Sequence, residues 1–280
     1  MRFLFLLLAF CTTIANAQTD LNFNKRYVES EDHWVILQQH KDGSYPYGFI
    51  YIDPDAGLTL NYEGSFTISP QGTYIPKKMD SVSLKYRLEP DNARVAFVPE
   101  SRYKELQITT TPEWLKFYKE DTGTVQHMFR WGYLYNSWGE YSKAFTFLEK
   151  AQKIDPEYKG LKLELAFTYN ALEQYGKAEA VMESAIQTNP DECLFYRELS
   201  FAQMHINELE KAAKTYGISL TKCTDDGVKS EIAYNLTYQY YKRKDADGFR
   251  KWVAETKKWA KSGDDVMVEL TKLEKAFSNQ

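Results

Sequence analysis

The chain has 280 residues, 43% hydrophobic and 26% charged, with a formal net charge of −4. This mildly acidic balance has no dominant basic patch, which argues against nucleic acid as a partner.

Residues 1–17 read as a secretory signal peptide. Arg2 supplies a positive start, Phe3 to Phe10 is an apolar run, and Ala15-Asn16-Ala17 is a small-x-small cleavage site. Cleavage after Ala17 leaves Gln18 first. The run is too short to anchor the chain in a bilayer. A lipid anchor on Cys11 is the alternative, but such a signal wants a small residue before the cysteine and Phe10 stands there. No later stretch is apolar enough to span a membrane, so the expectation is an exported protein of the periplasm or cell exterior without an integral membrane segment. Removing Arg2 leaves 34 basic against 39 acidic residues.

Residues 18–110 read as an antiparallel β domain, a small sandwich or barrel. Strand-like runs at His33–Gln39, Tyr47–Asp53, Leu58–Ser69, Val82–Leu88 and Arg94–Val98 alternate with turn chemistry such as Lys41-Asp42-Gly43-Ser44 and Asp53-Pro54-Asp55-Ala56-Gly57. Aromatics are dense: Trp34, Tyr45, Tyr47, Phe49, Tyr51, Tyr62, Phe66 and Tyr74. On strands half should face inward. The rest could form an exposed aromatic face for a partner or an envelope glycan. Residues 111–124 form a helical linker. Thr111-Pro112-Glu113 starts a short helix, with Thr111 as cap, and Trp114 is expected to pack the β domain onto the first of the C-terminal helices. Asp121-Thr122-Gly123-Thr124 breaks the linker helix, and Thr124 caps the next.

From there a 34-residue period takes over. Ala144, Ala178, Ala212 and Ala246 are evenly spaced, and lysine precedes the first three as Lys143, Lys177 and Lys211. Trp131 recurs as Leu165 and Leu199, and Gly132 as Ala166 and Ser200. Tyr135 recurs as Tyr169, and Pro156 as Pro190. A small residue beside a large one lets paired helices approach closely. Proline ends the second helix of a pair, because it disfavours helical geometry at the residue before it.

This pattern resembles the tetratricopeptide repeat (TPR). The resemblance implies an all-α solenoid with units at 125–158, 159–192 and 193–226, then a degenerate hairpin at 227–262. In that hairpin Tyr234 stands where a small residue belongs and Arg250 where an apolar one does. Val266, Leu270, Leu273 and Phe277 give 264–278 the character of an amphipathic capping helix. The fold class is therefore α+β in two parts.

Trp34, Tyr47-Gly48-Phe49-Ile50-Tyr51-Ile52-Asp53, Gly57-Leu58-Thr59 and Trp114-Leu115 resemble the N-terminal region of exported TPR proteins of Bacteroidota. This resemblance implies a diderm envelope. Under it, Asp80-Ser81-Val82 is similar to the O-glycosylation signal of that phylum.

After the signal peptide only Cys193 and Cys223 remain. They stand at the two ends of one predicted hairpin, which antiparallel packing brings together. In an oxidising compartment they should form a disulfide worth about 3 kcal/mol. The bridge would also fix the boundary where the third unit has Thr224 instead of proline.

No catalytic, metal-binding or cofactor-binding constellation is evident. His33, His40, His127 and His205 fit neither a metalloprotease pair nor a zinc spacing. Asp53-Pro54-Asp55 matches the start of a calcium loop, but the remaining ligand positions are missing.

In TPR arrays the first helices line a groove. Here they offer Phe129, Tyr133 and Asn136, then Leu163, Phe167 and Asn170, then Arg197, Phe201 and Met204, with Asn235 and Tyr238 from the fourth hairpin. Rings could cover a peptide's apolar side chains while amides clamp its backbone. The chaperone-tail-binding subtype needs Lys and Asn where Phe129 and Tyr133 stand, and is disfavoured. The leading expectation is a non-enzymatic interaction scaffold that binds a protein or peptide. The alternatives are an envelope-glycan module using the β domain, or an accessory subunit of an envelope or export complex.

Overall fold

The N-terminal half folds as an antiparallel sheet in a computed structural model, which describes residues 21–79, 84–89 and 93–278. The signal peptide with its Ala17–Gln18 junction, Cys11, and Asp80-Ser81-Val82 lie outside the described residues. The chain divides into two compact units, Met1–Glu120 and Asp121–Gln280.

The strands are β1 (Lys25–Arg26), β2 (His33–Ile36), β3 (Tyr45–Asp53), β4 (Gly57–Ile68), β5 (Tyr74–Lys78), β6 (Leu84–Arg87) and β7 (Arg94–Phe97). Their order is β1-β7-β2-β3-β4-β5, with β6 also paired to β4. The β3–β4 hairpin is set by Asp53, whose carboxylate accepts from the backbone N–H of Asp55 (2.9 Å) and Ala56 (3.0 Å). The aspartate of the calcium-like segment is thus occupied in shaping a turn. At Gly48 the register shifts, and a Cβ there would lie 2.4 Å from the Asn61 carbonyl oxygen, so the bulge needs glycine.

A single open sheet replaces the expected sandwich or barrel. The second layer comes from residues 100–118 instead. These contain a short helix α1 (Tyr103–Leu106) and a 3-10 helix at Glu113–Tyr118. Leu106 and Leu115 are buried against Trp34, Ile36, Tyr47, Phe49, Tyr51, Phe66 and Tyr74. Trp114 meets Phe49 and Tyr51 edge-on at 5.9 and 5.0 Å, and the Trp34 indole donates to the Thr109 carbonyl at 2.7 Å. Trp114 therefore serves the core of the first unit. Pro112, not Thr111, stands at the start of the 3-10 helix, and no side-chain hydrogen bond caps it.

The second unit contains α2 (Val125–Ser137), α3 (Tyr141–Ile154), α4 (Leu161–Ala171), α5 (Tyr175–Thr188), α6 (Cys193–His205), α7 (Leu209–Lys222), α8 (Asp226–Lys242), α9 (Ala246–Trp259) and α10 (Asp265–Ser278). Thr124 caps α2, accepting from the His127 N–H at 3.2 Å. Trp131, Leu165 and Leu199 are buried, as are Ala144, Ala178 and Ala212. Leu270 and Leu273 of α10 close the stack against Phe249 and Val253.

Gly132 shows how close the pairing is. A Cβ there would lie 2.4 Å from Leu148 Cγ, and Leu148 is fully buried. Gly132→Val is expected to cost about 2–3 kcal/mol by overpacking, read as a lower urea midpoint. Gly176 in α5 has nothing within 4 Å of the same built atom. Gly176→Ala should therefore be neutral or stabilising by up to about 1 kcal/mol. Equal losses at both sites would contradict the packing assignment.

The fourth hairpin departs from the 34-residue register. The buried large–small pair runs Leu165–Ala166, Leu199–Ser200 and then Ile232–Ala233, one residue early. Tyr234 is thus not a misfit at a small-residue position, since Ala233 fills that role. Helix α8 then continues for 17 residues, against 11 to 13 in α2, α4 and α6. As a result Ala246 opens its helix, as Tyr141, Tyr175 and Leu209 open theirs. Phe249 takes the buried position held earlier by alanine. The even spacing of Ala246 with the other three alanines is a coincidence of an early core pair and a longer helix.

Cys193 and Cys223 form a disulfide, with Cα atoms 5.1 Å apart. The lysines of the repeat also have defined work. Lys143 and Lys177 sit over the rings of Tyr135 and Tyr169 at 5.2 and 5.4 Å. Where Gln203 replaces the third tyrosine, Lys211 turns to Glu179 and Glu183, and these carboxylates push its pKa up.

A candidate peptide groove on the first helices

The exposed edges of α2, α4, α6 and α8 border two cavities of about 360 and 210 Å³. Phe167 and Arg197 line both. Tyr141, Phe201 and Glu231 belong to the larger, and Tyr133, Leu163 and Glu164 to the smaller. Tyr133 is 43% exposed, and Phe167 and Phe201 are half-buried. Each phenylalanine ring rests on a tyrosine that opens the preceding second helix. Tyr141 meets Phe167 at 6.0 Å and Tyr175 meets Phe201 at 6.4 Å. Their backs are supported while part of each ring stays open.

The amides behave differently from the sequence expectation. Asn136 donates to the Glu164 carboxylate (2.8 Å) and carbonyl (3.3 Å), while its oxygen accepts from the Thr168 hydroxyl at 3.0 Å. Asn170 donates to the Glu198 carboxylate (2.9 Å) and carbonyl (3.1 Å). Both asparagines are buried. Their donors bolt one repeat to the next and are not offered to a backbone. Met204, at the third equivalent position, is buried in the core with Leu209 and Tyr216. Phe129 packs on Tyr158 at 5.1 Å. Asn235 and Tyr238 border neither cavity. With the one-residue slip, Tyr234 and Thr237 are the equivalents of Phe201 and Met204, and Tyr234 packs against the Phe249 and Leu270 cluster.

A row of carboxylates was missed in the sequence. Glu164, Glu198 and Glu231 occupy equivalent positions once the slip is allowed for. Arg197 is held by Glu198 (2.9 Å) and faces Glu231 at 3.7 Å. Burial pushes the Glu164 and Glu231 carboxyls up and the neighbouring Glu198 charge adds to it; the Asn136 hydrogen bond chiefly opposes this at Glu164, and Arg197 opposes it in both. The strict 34-residue spacing of Glu164 and Glu198 was visible in the chain. It was hidden by the ordinary assumption that helix carboxylates are solvated.

In the other unit, six of the eight singled-out aromatics are buried, and Tyr45 and Tyr62 are half-buried. Tyr62 joins Tyr27 and Tyr86 around an open concavity of about 840 Å³. Among the described residues no group of three or more His, Cys, Asp or Glu is arranged to hold a metal ion, and no helix is long and apolar enough to cross a membrane.

Residues 139–194 match the family Tetratricopeptide repeat. This segment spans α3 to the start of α6. No curated protein matches the chain significantly. Among solved structures, the chain is similar to a thermophilic TPR protein of Thermus thermophilus (17% identity, 62% of this chain and 91% of that one, TM-score 0.46). It is also similar to MamA from Desulfovibrio magneticus RS-1 (16% identity, 63% and 86%, TM-score 0.42). A third is a tetratricopeptide repeat protein from Parabacteroides merdae ATCC 43184 (13% identity, 62% and 62%, TM-score 0.43). Likeness at this level carries no functional argument.

Proposed function

We propose that this protein is a non-enzymatic interaction scaffold whose TPR array receives an extended peptide or protein segment on the face of α2, α4, α6 and α8. The observation that carries this reading is the supported, half-open ring row Tyr133, Phe167 and Phe201 over two adjoining cavities. Rings held from behind lose little freedom on binding, which favours their use as contacts. We further propose that the protein works in the periplasm or cell exterior. The leader-like residues 1–17 and the Cys193–Cys223 bridge, which needs an oxidising compartment, support that placement. An envelope-glycan role for the first unit has less support, since most of its aromatics are spent on the core.

The test is Tyr133→Ala, Phe167→Ala and Phe201→Ala combined, in the full chain. The variant is expected to keep its helical circular dichroism and its disulfide, with a stability loss of about 2–4 kcal/mol from the two half-buried rings. Crosslinked pull-downs from the native host should lose the partners that the wild type recovers. Partners retained by a folded triple variant would refute the groove.

A further inference from the structure

The lining of the two cavities carries more negative than positive charge, with Glu164, Glu198 and Glu231 against Arg197, and that imbalance specifies the chemistry of an occupant. Three carboxylates face one cation. That cation, Arg197, is already engaged, its Nε and Nη2 donating to Glu198 at 3.0 and 2.9 Å. Glu198 in turn accepts from Asn170. Glu231 is different. Its side chain is 45% exposed, and its contact with Arg197 at 3.7 Å is too long for a hydrogen bond.

A second, independent observation concerns Asn170, which borders the larger cavity and is only 5% exposed. Its side-chain oxygen has no hydrogen-bond partner. The equivalent oxygen of Asn136 is satisfied by Thr168, but Ala202 stands at the corresponding place in the next repeat. Left without a donor, this carbonyl dipole adds to the negative potential of the lining. The rings on either side ask for apolar groups beside a cation. Three neighbouring helices at about 8–10 Å spacing make a row long enough for an extended chain of roughly six to eight residues. A small free amine would leave most of that row bare.

Building on the peptide-groove reading, we propose that the occupant is a basic peptide segment, its Lys or Arg placed at Glu231 and Glu198 and its apolar neighbours on Phe167 and Phe201. An acidic segment would meet a surplus of negative charge and a single arginine already paired.

The test is to pan a random dodecapeptide display library against the intact, disulfide-bonded protein. Selected sequences are expected to carry about threefold more Lys and Arg than the input library. A synthetic selected peptide should bind Glu231→Gln about tenfold more weakly. It should also weaken on raising salt to about 0.5 M, a measurement that stands if the variant misfolds. Enrichment of acidic or uncharged peptides that still lose binding on Phe167→Ala with Phe201→Ala would overturn the charge assignment and leave the groove standing. No enrichment, or selected peptides indifferent to those ring changes, would overturn both.

Discussion

Reducing the Cys193–Cys223 bridge in the folded protein is expected to lower the stability of the second unit by about 3–4 kcal/mol. The cysteines are 30 residues apart in sequence, so the cross-link closes a loop of intermediate length in the unfolded chain. For a unit of this size the loss corresponds to a fall in Tm of roughly 10 °C. The bridge lies where the repeat loses its proline. The residues just past α3 and α5, Asp155 and Asn189, have both left the helical region, and each is followed by proline. Just past α7, Cys223 is extended (φ −93°, ψ 135°), but Thr224 follows. The disulfide ties that boundary to Cys193 at the start of α6. Cys223→Ser should cost at least as much as reduction, because Cys223 is buried beside Val228 and Ile232. Thermal unfolding with and without reductant measures the first effect. An unchanged midpoint after complete reduction, verified by alkylation and mass, would refute it.

Trp34→Ala is expected to destabilise the first unit by about 3–5 kcal/mol. The indole is 4% exposed, meets Phe49 edge-on at 5.2 Å, and holds the Thr109 carbonyl at 2.7 Å. Truncation empties the centre of the layer between the sheet and residues 100–118, and orphans that carbonyl. Loss of sheet signal and of near-ultraviolet dichroism at 37 °C would report it. The outcome also bears on function. A folded Trp34→Ala protein of near-normal stability would return this aromatic to the surface role of the envelope-glycan alternative. Unfolding keeps it in the core.

The two orthodox hairpins were legible because their spacing is set by local geometry: one helix pair, one close approach at a small residue, one proline stop. The disulfide was legible for the same reason, since a hairpin brings its ends together. Strands β5 and β1 were not. The first contains Pro76 at a sheet edge, and the second is two residues long, so neither carries a period. The fourth hairpin misled. Ala246 kept the count, yet the core had moved by one residue and α8 had grown by about a turn.

The candidate site divides along the same line. Its rings, Tyr133, Phe167 and Phe201, follow from the repeat alone, because one period places them on one helix face. What each side chain is free to do depends on its neighbours in space. Only the folded structure shows that Asn136 and Asn170 are tied to Glu164 and Glu198, that Met204 is core, and that Glu231 joins the row after a slip. The sequence by itself determined the two-part α+β architecture, the hairpin period and the cysteine pair, all products of short-range spacing. The single open sheet, the register of the fourth hairpin and the carboxylate-rich lining were decided by tertiary packing. Packing assigns burial and hydrogen-bond partners between residues that the chain order keeps far apart.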